Sequence, residues 1–191
     1  MHFQEDDFYI QQTLSGEMGA FGQLVQKHQK FAYTLALRIL KNSEEAEEAT
    51  QDAFFKLFHS LGSFEGKSKF KTWLYKIVYH EALGRLRKKK DSHIQLDDIT
   101  EFESLNTDFE NGIEAMQSQD RTKLIKYALD QMKSTEAAVI TLFYLEEYSI
   151  KEITEITTQT EANVKILLHR GRKNMLHILQ KNIKKELIHL L

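Results

Sequence analysis

Apolar residues recur at helical spacing through most of this chain, and no proline interrupts them anywhere in its 191 residues. Ala20, Phe21, Leu24, Val25 and His28 begin one such stripe, and Phe31, Leu35, Ile39 and Leu40 continue it. Ala53, Phe54, Leu57 and Phe58 form another, followed by Trp73, Leu74 and Ile77. Later come Leu124, Ile125, Ala128, Leu129 and Met132, then Ala138, Val139, Leu142, Phe143 and Leu145. Ile153 and Ile156 mark a short helix; Val164, Leu167, Leu168, Gly171 and Met175 share one face of a long one. Spacing of i, i+3, i+4 is the signature of amphipathic helices rather than strands. The sequence therefore predicts an all-α protein.

Breaks in the pattern set the helix ends. Ser15-Gly16, Lys41-Asn42, Leu61-Gly62 and Gly66 read as stops and loops. Ser43 and Ser134 read as N-caps, Thr72 as the cap or start of its helix, and Thr160 as the opening of the last helix. Glu44, Glu45, Glu47 and Glu48 suit the positive end of a helix dipole. Ser149 with Glu152 fits a capping box.

One segment departs from the pattern. Residues 91–120 carry no Lys or Arg and are rich in Asp and Glu. Sparse apolar residues and high charge predict a weakly ordered linker over 91–119. It would join a helical domain at 1–90 to a second at 120–191.

Charge is distributed as unevenly as hydrophobicity. The chain is formally −2 overall, yet Ser63–Lys90 holds Lys67, Lys69, Lys71, Lys76, Arg85, Arg87, Lys88, Lys89 and Lys90 among the rings of Phe64, Phe70, Trp73, Tyr75 and Tyr79. Cations bind phosphates and release counterions. Aromatic faces stack on bases that have left the duplex. The stretch reads as a site for single-stranded or melting nucleic acid, although rings at helical spacing serve equally well as core. In the second domain, a short helix, a brief turn and a longer helix with polar and basic residues near its start form a helix-turn-helix layout. Such a helix fits the major groove, where its N-terminal side chains meet base edges.

Composition excludes several classes. With no cysteine there are no disulfides, thiolate zinc sites or thiol nucleophiles. No apolar run approaches the ~20 residues needed to cross a bilayer. The acidic start MHFQEDDFYI lacks the parts of a signal peptide, so a cytoplasmic location is expected. The eight histidines are scattered singly, so no metal or other cofactor is expected. Nor does any nucleophile–base pairing or phosphate loop suggest an enzyme.

The motifs together carry a resemblance. AFGQLVQKHQKFAYTLALRIL, EEAEEATQDAFFKLF and FEGKSKFKTWLYKIV occur in order, followed by ALDQMKSTEAAVITLFYLEEYSIKEITEITTQTEANVKILLHRGRKNM. The chain resembles bacterial RNA polymerase sigma factors of the extracytoplasmic-function (ECF) group, in the sigma-70 family. The resemblance covers nearly everything but the acidic segment and the tail. It implies a first domain that binds the polymerase clamp and melts the −10 element, and a second that reads the −35 element. It implies a path for the linker through the polymerase between them.

Its partners would be core RNA polymerase, through the beta and beta-prime subunits, promoter DNA and an anti-sigma factor, with no small-molecule substrate. The family's clamp-binding helix matches Glu47, Glu48, Gln51, Asp52 and Phe54. Its −10 segment matches Phe64, Lys67, Lys69, Lys76, His80, Arg85, Arg87 and Lys88, with base capture placed in the loop Ser63–Lys69. The −35 set is Thr160, Glu161, Asn163, Lys165 and His169 near bases or their phosphates, with Arg170, Arg172 and Lys173 on backbone or on a polymerase surface.

There are departures from the family pattern. His80 stands where Asn is frequent and Gly84 where Asp is frequent, so the −10 sequence preference does not carry over. Gln131-Met132 replaces a common Leu-Pro at a helix junction. Gly171 replaces the usual Ala, at a helix cost of about 1 kcal/mol. Two other readings stay open on the residues alone. One is a helix-turn-helix regulator that acts without polymerase core; the other is a helical interaction module that touches no nucleic acid.

Overall fold

The computed structural model describes residues 3–90 and 118–189, which contain eight α-helices and no strand. Helix α1 spans Phe3–Leu14 and α2 Met18–Leu40, separated by a turn at Gly16, whose φ of 104° is open to glycine. Helix α2 ends at Lys41, which adopts the left-handed conformation (φ 58°) and returns its N–H to the Leu37 carbonyl. Helix α3 spans Ser43–Ser60 and runs into a short 3-10 turn, Leu61–Ser63. Helix α4 spans Phe70–Lys90. Then come α5 (Ser118–Gln131), α6 (Ser134–Tyr144), α7 (Ile150–Thr157) and α8 (Glu161–His189). The expected acidic linker lies, up to residue 117, outside the described residues; its last two positions belong to α5. None of the described helices is long and apolar enough to cross a membrane.

Helices α2 to α8 follow the seven apolar stripes in order, with α1 preceding them, but three caps differ from expectation. Asn42, not Ser43, caps α3: its extended backbone lets the side-chain oxygen accept the Glu45 N–H at 2.9 Å. Ser134 does not cap α6. Its hydroxyl donates across the fold to the Ile39 carbonyl at 2.6 Å, and Lys133 holds the N-cap position without a side-chain bond. Thr72 neither caps nor opens α4, which starts at Phe70 with the Lys69 carbonyl accepting its first N–H bonds; Thr72 is buried inside it. The capping box at Ser149 and Glu152 forms as expected, and the Thr160 hydroxyl accepts the Asn163 N–H at 3.2 Å.

Helix α2 is the hub. It packs against α1, α3 and α4 on one side and against α6 on the other, while α7 lies on α4 and α8 closes over α6 and α7. Leu24, Leu35, Leu57, Leu74, Leu142, Ile153 and Val164 are fully buried, and the buried apolar residues of α2–α4 and α6–α8 join in one continuous core. Truncating one of these, for example Leu74→Ala, is expected to cost ~2–5 kcal/mol. The same core absorbs Phe70, Tyr75 and Tyr79, each no more than 3% exposed. These rings of the basic-aromatic stretch are therefore packing, and only Phe64 and Trp73 stay half-buried at its start.

Candidate nucleic-acid interface

The five residues expected to meet polymerase lie along α3 but divide into two groups. Glu47, Gln51 and Phe54 follow one stripe and line an open groove of about 750 Å3 between α2 and α3, with Val25, Lys30 and Tyr33 opposite. Phe54 is a core residue whose edge reaches this groove. Glu48 and Asp52, on the next stripe, turn toward α4 and hold the Arg85 guanidinium, Glu48 at 2.9 Å. Glu81 accepts from the Arg85 Nε at 3.1 Å and also pairs with Lys56. Its hydrogen bonds to the carboxylates of Glu48, Glu81 and Asp52 hold Arg85 firmly protonated, raising it above its ordinary value. Arg85 is thus a clasp between α3 and α4 with its charge already balanced, unlike the free phosphate ligand expected of it.

The other −10 candidates occupy two zones. At the start of α4, the Phe64 ring lies 5.1 Å from Trp73 and 5.8 Å from Phe70, so the loop's ring is anchored against the helix. Lys67 is exposed and pairs with Glu65. Lys69 reaches Glu152 of α7 at 2.8 Å. Along the rest of α4, Lys76, His80, Arg87 and Lys88 are all exposed. His80 approaches the Thr158 hydroxyl at 3.4 Å. Partial burial, then the charges of Lys76 and Arg87, lower its pKa, so its ring is neutral at physiological pH. Among the described residues Lys76, Arg87 and Lys88 have no carboxylate partner, and all three are exposed on α4.

The second surface is built on α8. The turn Thr158–Thr160 joins α7 to α8, with Thr158 in the left-handed conformation (φ 54°). Buried Ile153, Ile156, Val164 and Leu168 pack the two helices together. That leaves Glu161, Asn163, Lys165, His169, Arg170 and Lys173 outside. Lys165 pairs with Glu161 one turn earlier at 2.6 Å, and this lowers the Glu161 carboxyl. Arg172 is exposed, donates to the Leu168 carbonyl at 3.2 Å and edges an apolar groove with Tyr144, Leu145, Met175 and Leu179. Its place on that groove sets it apart from the other basic residues of α8.

Gly171 proves to be a packing requirement. A Cβ built on it would lie 2.7 Å from Ile140 Cγ1, 3.1 Å from Ile140 Cδ1 and 3.4 Å from Met132 Cε. The glycine lets α8 press directly on α6 at the junction that Met132 fills. No local spacing in the sequence signals this, just as none signals the Arg85 clasp or the Lys69–Glu152 pair.

The comparisons agree with this architecture. Residues 24–92 match the family model of sigma-70 region 2, and residues 122–175 match that of sigma-70, region 4. An α2–α4 unit followed by a helix-turn-helix unit defines the class as the sigma-70 type. The ECF RNA polymerase sigma factor SigW of Bacillus subtilis is 31% identical over 170 residues, spanning 86% of this chain and 91% of SigW. The RNA polymerase sigma-H factor of Pseudomonas aeruginosa is 27% identical over 176 residues, spanning 89% and 91%. The chain belongs to the ECF RNA polymerase sigma factors. Two solved structures share the fold. CnrH, in complex with the cytosolic domain of CnrY, has a TM-score of 0.64 at 20% identity, covering 93% of this chain and 98% of CnrH. RpoE from Bartonella quintana, in complex with the anti-sigma factor NepR, has a TM-score of 0.62 at 19% identity, covering 84% and 96%.

Proposed function

We propose that this ECF sigma factor binds core RNA polymerase through the α2–α3 groove, recognises the −10 and −35 elements of a promoter, and promotes strand opening. It supplies binding energy and no catalytic chemistry of its own. Residues 1–90 act on the polymerase and the −10 strand, 120–191 on −35 duplex, and 91–119 connect them. The observation that carries this reading is the pairing, on one chain, of two different cationic surfaces. On α4 the exposed Lys76 lies one turn after the anchored Phe64 and Trp73 rings, with exposed Arg87 and Lys88 further along, which suits unpaired bases on a strand. The exposed start of α8, with Asn163, Lys165 and His169, suits a duplex groove.

Unstacking a base costs a few kcal/mol, which a stacking surface or pocket must offset. The Ser63–Lys69 loop is where that offset is placed. Exposed acids on α3 suit a basic surface of the polymerase. The site of action is the cytoplasm, and an anti-sigma factor would hold the chain inactive, as NepR binds RpoE. The test is transcription from a genomic promoter library by core polymerase with and without this chain. Chain-dependent start sites are expected; their absence, with the chain folded and the polymerase active, refutes the proposal.

A further inference from the structure

Helix α8 carries one side chain that packing does not explain. Ile166 is 47% exposed, within the first two turns of the helix, and stands among Asn163, Lys165, His169 and Arg170, which are polar and exposed as well. It takes no part in the hydrophobic core, which its neighbour Leu167 touches. Buried Val164 lies two residues before it and buried Leu168 two residues after. At about 100° per residue both are nearly opposite Ile166 across the helix, so this side chain sits at the middle of the outward face. Exposed Ala162 lies one turn earlier on the same line.

A single exposed isoleucine is ordinary on most protein surfaces. The position of this one gives it a use. A helix about 10–12 Å across fills a major groove about 12 Å wide. With the core face of α8 turned inward, the middle of its outward face meets base edges, while cations on the flanks reach phosphates. The one apolar group on those edges large enough to pack against is the thymine 5-methyl. An adenine, guanine or cytosine edge set against Ile166 would lose water and gain no hydrogen bond. A thymine would bury its methyl against the isoleucine instead. We infer that Ile166 is a specificity-determining residue of the −35 contact, selecting thymine at one base pair through its 5-methyl group. This rests on the promoter reading above. It adds the base that one position of the −35 element must hold and the atom by which that base is read.

The test uses holoenzyme assembled from core polymerase and the full chain. A preferred −35 duplex is first selected from promoters randomised over that element. Each of its thymines, on either strand, is then replaced singly by deoxyuridine, which removes only the 5-methyl. Holoenzyme affinity is read by competition at one fixed salt concentration. One thymine should be methyl-dependent, its replacement weakening binding about 4-fold, the worth of one buried methyl-sized group. Holoenzyme carrying Ile166→Ala should bind the thymine and deoxyuridine forms of that position equally. Cytosine there should bind poorly, and 5-methylcytosine should recover part of the loss with Ile166 but none with the variant. Ile166 is exposed and alanine is the better helix former, so the variant is expected to fold, which circular dichroism and thermal melting verify.

If a −35 sequence is selected but no thymine in it is methyl-dependent, the role of Ile166 is overturned and the promoter reading stands. Methyl-dependence that survives Ile166→Ala overturns it in the same way, since another side chain then reads the methyl. If holoenzyme selects no −35 sequence at all, the promoter reading and the role of Ile166 fall together.

Discussion

Replacing Gly171 by alanine should destabilise this protein, although alanine is the better helix former. In the interior of α8 the change gains about 1 kcal/mol of helix propensity. Against that, the new methyl would lie 2.7 Å from Ile140 Cγ1 and 3.1 Å from its Cδ1, both inside normal contact distance. Ile140 is 3% exposed, and Met132, 4% exposed, closes the other side at 3.4 Å, so the Ile140 side chain must shift to admit the methyl. Forcing a methyl into such a site typically costs ~1–3 kcal/mol, and the close Cγ1 contact puts this case at the upper end. The balance is a net loss of about 1–2 kcal/mol, or roughly 2–8 °C in Tm for a chain of this size.

Gly84 provides the internal control. It also lies within a helix, α4, but a Cβ there meets nothing within 4 Å. Gly84→Ala should therefore stabilise by about 0.5–1 kcal/mol. Urea and thermal unfolding of both variants at one pH decide the matter. A double variant with Ile140→Ala should recover part of the Gly171→Ala penalty, because the added methyl then fills space that was vacated. If Gly171→Ala raises Tm as Gly84→Ala does, the steric argument is refuted.

Arg85→Ala should cost on the order of 1 kcal/mol in urea unfolding, because it leaves Glu48, Asp52 and Glu81 facing one another; an unchanged midpoint would dismiss the clasp. Lys88→Ala should lower the log–log salt slope for single-stranded DNA by ~0.7, while Arg85→Ala leaves that slope unchanged; equal slope changes would contradict the division drawn between these cations. Lys165→Ala should weaken −35 duplex binding by holoenzyme and reduce its salt slope by about 1, and a constant slope would remove Lys165 from the phosphate contacts. The Asp6 carboxyl, which burial alone would raise, is brought below its ordinary value by the hydrogen bonds and charge of His28 and Lys27. It therefore contributes stability above the unfolded carboxylate range, and loses it as pH falls through the lower folded value. Asp6→Asn should flatten that acidic limb of the stability–pH curve; an unaltered limb would exclude Asp6 as its source.

Sequence periodicity revealed most of the architecture because a 3.6-residue stripe is a local property, and each helix here buries one. Most caps were legible to within a residue, but Thr72 was not, because α4 begins two residues before it. Asn42 and Ser43 are both good capping types, and only backbone geometry decides between them. The basic-aromatic stretch was harder to read. Tyr75 and Tyr79 share a buried stripe of α4, while the adjacent Lys76 and His80 share an exposed one, so one-residue offsets separate core from surface. What remained hidden was contact between distant residues. Arg85 finds Glu48 and Asp52 on another helix, and Lys69 finds Glu152 on the far side of the acidic segment. Nothing in the spacing of either partner specifies the other.

The carbonyls of Ile39 and Leu129 stand in the final turns of α2 and α5, where a helix has no N–H of its own to offer them. Each is answered by a side chain from the opposite half, so the two halves finish one another's helices. When they part, water can take up both oxygens without unravelling either helix.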